Sequence, residues 1–170
     1  MSTEIIHPNG KHIGKSDSLR PPTIAIIDDD ADLTRAISRV LRANYKCVVN
    51  GFKSVEDFLL AVDQSQRGDS AADIADLILL DFHLPGKNGP VLISELERRR
   101  STLLNHSRIM GITADNQPVV YAGFRDAGIE EVLLKPLQQI DFGHIAERAY
   151  RICGNLDSTP PRSSIFKGTI

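Results

Sequence analysis

Four places in this sequence carry side chains suited to chemistry at phosphorus. Asp28, Asp29 and Asp30 form an acidic run, Asp81 stands alone after an apolar stretch, and Thr113 and Lys135 follow two further apolar stretches. Clustered carboxylates repel one another, so such a group holds either protons or a cation. A hard divalent ion with oxygen ligands answers that repulsion. Mg²⁺ suits best, because it accepts one or two carboxylates, keeps waters and leaves positions for a phosphate. Beside such an ion Asp81 can act as a nucleophile and form an aspartyl phosphate. Transfer of a phosphoryl group asks for positioning and charge neutralisation. Lys135 offers a compact positive charge for phosphoryl oxygens and Thr113 a hydroxyl donor. Taken singly, each has an ordinary structural use: a helix cap, a turn residue, a surface ammonium. Their joint placement carries the reading.

That placement depends on the elements between them. Residues 23–27 are a short, nearly continuous apolar run, as expected of a strand buried on both faces. Leu33, Ala36, Ile37, Val40 and Leu41 then recur at helical spacing. Residues 46–50 read as a second strand centred on Cys47, Val48 and Val49. Ser54 and Asp57 approximate a capping box for a helix whose buried face is Val55, Phe58, Leu59 and Val62. Residues 64–76 read as a polar surface loop with a little local helix.

Residues 77–80 form a third strand, and Pro90 opens a third helix at a position where its missing N–H costs nothing. Residues 108–112 are a fourth strand and 118–127 a fourth helix closed by Gly128. Residues 131–134 are the fifth strand, and a last helix carries Phe142, Ile145, Ala149 and Ile152 on one face. Strands alternating with helices imply an α/β fold, a doubly wound five-stranded parallel sheet with helices on both faces. In the flavodoxin-like strand order 2-1-3-4-5, strands one and three flank the crevice at their carboxyl ends. The acids, the hydroxyl and the ammonium would then gather on one edge.

Composition narrows the function further. The chain has 170 residues, 41% of them hydrophobic, enough for one domain with a real core. Its 20 basic and 22 acidic side chains give a net charge of −2. That balance supplies no general attraction to nucleic acid or to an anionic membrane. Cys47 and Cys153 show no metal-ligand spacing and read as two buried thiols of a reducing compartment. No apolar run has the length of a signal peptide or a membrane span, so a soluble, cytoplasmic protein is expected. Residues 1–22 read as a flexible arm, 23–153 as the domain and 154–170 as a tail. Arg98, Arg99 and Arg100 read as a basic last turn. His7, His12, His106 and His144 read as surface or tail residues. Tyr121 and Phe124 lie one helical turn apart, with ordinary packing the simpler account of Phe124.

As a set, IAIIDDD (24–30), LILLDFHLPGKNG (77–89), IMGITAD (109–115) and DAGIEEVLLKP (126–136) resemble the signature segments of response-regulator receiver domains. The resemblance covers roughly residues 22–151. It implies that Asp81 is the phosphorylated residue and that Asp29 and Asp81 ligate Mg²⁺ directly. Asp28 would act through water, and His83 would lend its backbone carbonyl. It makes Thr113 the switch hydroxyl and Lys135 the phosphoryl-binding lysine, followed by a cis Lys135–Pro136 peptide. Asp30 is expected to cap the first helix.

The implied partners are a histidine kinase or histidine phosphotransfer protein upstream and a protein target downstream, with no nucleic acid or membrane contact. The expectation is a stand-alone receiver, a signalling phosphoacceptor rather than an enzyme. Two positions depart from the family: Val132 stands where an aromatic rotor is usual, and His83 stands where residues vary and influence access of water to the phosphoryl group. The alternatives are a phosphorylation-inert interaction module and a haloacid dehalogenase-type phosphatase. The latter requires an acid where this chain has His83.

Overall fold

A computed structural model describes residues 20–65, 74–86, 89–99 and 101–154. Residues 1–19 of the expected arm, 155–170 of the expected tail and most of the loop expected over residues 64–76 lie outside the described residues. The strands are β1 (Thr23–Ile27), β2 (Val48–Phe52), β3 (Leu77–Asp81), β4 (Arg108–Thr113) and β5 (Val132–Leu134). The helices are α1 (Ala31–Tyr45), α2 (Val55–Ser65), α3 (Val91–Arg98), α4 (Leu103–His106), α5 (Pro118–Asp126) and α6 (Gln139–Ile152). All strand pairs are parallel, in the order β2-β1-β3-β4-β5. This is the doubly wound, flavodoxin-like arrangement expected from the sequence.

Burial explains the strand compositions. β1 and β3 lie at the centre and are buried at every residue, whereas the edge strand β2 buries only Val49. Successive residues of β1 face opposite ways: Ala25 and Ile27 join one core cluster, Ile24 and Ile26 the other. The first cluster takes the apolar faces of α2, α3, α4 and α5, the second those of α1 and α6. Each fully buried Ile, Leu or Phe contributes about 2 kcal/mol by leaving water. The faces expected for α2 and α6 are those observed, with Phe142 and Ile152 only partly buried.

Local signals set most of the boundaries. Asp30 caps α1 by accepting from the backbone N–H groups of Asp32 and Leu33. Ser54 Oγ accepts from Asp57 N–H at the start of α2. Gly128, at φ 79°, ends α5 in the left-handed region, where a side chain would be strained. Three expectations shift. β2 begins at Val48 rather than residue 46, because Lys46 takes the left-handed C-cap of α1 (φ 54°) and the chain must turn before it pairs. Pro90 is the N-cap of α3 and not its first helical residue. The single turn α4, not foreseen, tucks Leu103 into the core between α3 and β4. Cys47 is buried and Cys153 only half-buried. No described helix is long and apolar enough to cross a membrane.

Candidate metal and phosphoryl site

Two adjacent parallel strands deliver acids to one edge. β1 runs into Asp28 and Asp29, and its neighbour β3 ends on Asp81. One carboxylate oxygen from each of Asp28, Asp29 and Asp81 lies within 4.8 Å of the others, with Asp28 and Asp81 buried and Asp29 exposed. Asp30, the fourth acid, is committed to capping α1. Asp28 Oδ1 accepts the backbone N–H of Asp30 at 2.9 Å, which fixes its carboxylate toward the cluster.

Lys135 arrives from the far side of the sheet. Its backbone N–H donates to the Thr113 carbonyl at 2.7 Å, tying the end of β5 to the end of β4. The Lys135–Pro136 peptide is cis, as expected. The ammonium reaches across to Asp28 Oδ2 at 2.6 Å and Asp81 Oδ1 at 2.7 Å. Three carboxylates against one ammonium leave two negative charges in this group. A divalent cation with oxygen ligands fits that surplus, and the residues present are those it would need.

The electrostatics follow. Burial raises the Asp81 carboxyl above its ordinary range, and the nearby Asp28 adds to the rise. The Lys135 hydrogen bond and the His83 N–H pull the other way without cancelling it. Burial by itself would lower the Lys135 ammonium, but its hydrogen bonds to Asp28 and Asp81 outweigh that and hold it above its usual value. Lys135 is therefore charged at neutral pH, while Asp81 carries unrelieved repulsion.

Thr113 is fully buried at the end of β4 and its Oγ1 accepts the backbone N–H of Asp115 at 3.1 Å. It neighbours Lys135 through the backbone and makes no hydrogen bond to Asp81. The His83 backbone N–H donates to Asp81 Oδ2 at 2.9 Å, and its half-exposed ring faces Asp115, Nε2 to Oδ2 at 3.4 Å.

Two residues of this site went unassigned in the sequence. Asp115 stands two residues after Thr113, and only the fold shows that it meets His83. Gly89 sits where a Cβ would come within 2.0 Å of the Asp81 carbonyl, so the chain packs over the end of β3 only with glycine there. The signal in sequence was its place at the end of LPGKNG.

Among the other candidates, Arg98 pairs with Glu95, and Arg99 with Asp63 and Glu95, so these two serve the helix surface. His144 lies 3.2 Å from Glu131 and His106 is exposed; Arg100, His7 and His12 fall outside the described residues. Tyr121 is exposed and Phe124 fully buried.

Comparison with known proteins agrees with this geometry. Residues 24–147 match the model of the response regulator receiver domain. The sensor histidine kinase AruS of Pseudomonas aeruginosa is 41% identical over 63 residues, 37% of this chain and 6% of that protein. The sensory/regulatory protein RpfC of Xanthomonas campestris is 24% identical over 115 residues, 66% of this chain and 14% of that protein. The chain thus spans a small part of the length of both relatives. Among solved structures, a CheY-like receiver domain protein from Methanospirillum hungatei is 18% identical with a TM-score of 0.63, covering 80% of this chain and 99% of that one. A response regulator receiver protein from Burkholderia phymatum is 25% identical with a TM-score of 0.58, covering 78% and 95%. With the match spanning most of its length and the strand order the same as expected, this chain belongs to the response regulator receiver domain family of two-component signalling.

Proposed function

We propose that the chain accepts a phosphoryl group on Asp81 in a Mg²⁺-dependent reaction and signals by protein contact. The observation that carries this reading is the surplus of negative charge around Lys135, at the strand ends where the fold leaves a crevice. Asp28, Asp29, Asp81 and the His83 backbone carbonyl would hold the ion. When bound, it neutralises the carboxylates and the incoming phosphoryl oxygens.

The residues do the rest. A carboxylate oxygen of Asp81 attacks phosphorus, the O–P bond forms as the N–P bond of a phosphohistidine donor breaks, and the bonding electrons return to the donor imidazole. Lys135 exchanges its contact with Asp81 for the phosphoryl oxygens. Thr113 turns its hydroxyl from the Asp115 N–H to the same oxygens. Nothing is turned over beyond gain and loss of this one group, so the protein works as a phosphoacceptor and not as an enzyme on a separate substrate.

The donor is a histidine kinase or histidine phosphotransfer protein and the receiver of the signal another protein, in the cytoplasm. The proposal extends to a receiver working as a separate chain over residues 23–153, which the mass of the native protein recovered from cells tests. Incubation with Mg²⁺ and acetyl phosphate, followed by intact mass measurement, tests the chemistry. The wild type gains one phosphoryl group, and Asp81→Asn gains none. A wild type that never gains the mass favours the inert module, a reading supported by the half-buried Val132 at the end of the sheet.

A further inference from the structure

The residue after Asp81 lands on a helix. Phe82 leaves β3 with its ring against α5: a Cβ at Gly123 would stand 2.8 Å from Phe82 Cε2 and 3.0 Å from Cζ, closer than such atoms approach. The next residue of α5, Phe124, meets the Phe82 ring edge-on, with centroids 5.1 Å apart and planes at 68°. Phe124 lies in turn on Gly111 of β4, where a Cβ would come within 2.8 Å of Cζ. Two glycines therefore open the slots that two rings fill. Together the rings join the residue following Asp81 to a helix and to the strand that ends in Thr113. β5 adds no ring of its own: Val132 stands beside Gly111 in the ladder, so the aromatic volume here comes from α5.

The backbone of Phe82 is held on both sides. Its N–H donates to the Ile112 carbonyl at 3.3 Å and its carbonyl accepts from Gly89 N–H at 2.9 Å. On its other flank the His83 N–H donates to Asp81 Oδ2. Conversion of Asp81 to an acyl phosphate takes charge from that carboxylate and weakens this hydrogen bond, loosening the peptide between Phe82 and His83. A close-packed ring pair does not absorb such a change gradually, because packed contacts shift between discrete arrangements.

The geometry points to Phe82 as the positioning residue that couples Asp81 to α5, through the Phe82–Phe124 pair seated on Gly111 and Gly123. In its signalling sense the inference rests on the proposed phosphoacceptor function. The coupling itself can be read without a phosphoryl group.

The first arm uses no donor. A double-mutant cycle of Gly123→Ala and Phe82→Leu is followed at the His83 backbone amide by nuclear magnetic resonance, with the exposed Val119→Ala of the same helix as control. Pressing on the ring from the helix should move the His83 resonance at least twofold more than the control does, and Phe82→Leu should remove that excess. If Gly123→Ala folds poorly, Gly111→Ala presses on the same pair from β4. A His83 resonance that responds to neither glycine variant overturns the coupling.

The second arm adds Mg²⁺ and beryllofluoride, a mimic of the phosphoryl group. Shifts of the α5 amides should fall at least twofold in Phe82→Leu relative to wild type, while intact mass after acetyl phosphate shows the phosphoryl group still accepted. Undiminished α5 shifts in a variant that still accepts it overturn the inference. A wild type that binds no beryllofluoride sinks the phosphoacceptor reading alone, and the first arm still decides the coupling.

Discussion

β3 carries a buried acid at each end, and the two are opposite in character. Asp76, just before the strand, accepts both guanidinium nitrogens of Arg20, at 2.9 and 2.6 Å, and the Thr23 N–H at 2.7 Å. Each of its oxygens has a partner, and it pins the start of β1 to the start of β3. Asp81, five residues on, shares one ammonium with Asp28 and keeps a raised pKa because burial and its neighbour both oppose ionisation. One acid is spent on structure. The other is held in a state that costs stability and is relieved only by something from outside. A function is expected where a fold tolerates such an imbalance.

Stability measurements sharpen or break this contrast. Asp76→Asn should lose about 2 kcal/mol in denaturant unfolding, since it strips the counter-charge from Arg20 and weakens a buried cap; the figure allows for the half-exposed guanidinium. Without added cation, Asp81→Asn should be neutral or gain up to about 1 kcal/mol, because it removes a repelled charge and leaves Lys135 on Asp28. Equal losses at both positions would erase the distinction.

The next effect is on cation binding. With its pKa raised in the fold, Asp81 keeps its proton to higher pH than a free carboxyl does, and a protonated acid is a poor ligand. Mg²⁺ affinity measured by titration should therefore weaken as pH falls, by roughly tenfold per unit once Asp81 is mostly protonated. The sign is fixed: an affinity that rises toward acid pH contradicts the assignment.

A smaller effect concerns the mouth of the site. His83→Asn removes the imidazole that faces Asp115, and the lifetime of the phosphoryl group should change by a few-fold; indistinguishable decay rates would reduce that side chain to a bystander. The smallest contrast lies at the amino edge. Burial pushes the Cys47 thiol up to about 12, so maleimide at neutral pH should label the half-buried Cys153 first.

Much of the site could be read from residue order because its signals are local. An apolar run of strand length followed by an acid marks a strand end, and a parallel sheet puts such ends on one edge. Asp28, Asp29, Asp81 and Lys135 come together for that reason, and Asp30 caps α1 as its type and place suggest. Long-range contacts that no strand end marks were not legible. Asp76 reads as one more polar loop residue until the fold sets it against Arg20, 56 positions away. Asp115 and His83 sit in different loops, and nothing local in the sequence pairs Phe82 with Gly123, 41 positions on. The late start of β2 was hidden because Lys46, a residue that rarely adopts positive φ, takes the helix-ending turn.

The central claim is that the repelled acid on β3 is the one that takes the phosphoryl group. The most direct measurement treats the protein with acetyl phosphate and Mg²⁺, reduces it with borohydride, which converts an aspartyl phosphate to homoserine, and maps the modified peptide. The account predicts homoserine at position 81, dependent on Mg²⁺, and nowhere else. Modification at Asp28 or Asp29 instead, or none at any acid of the cluster, would contradict it.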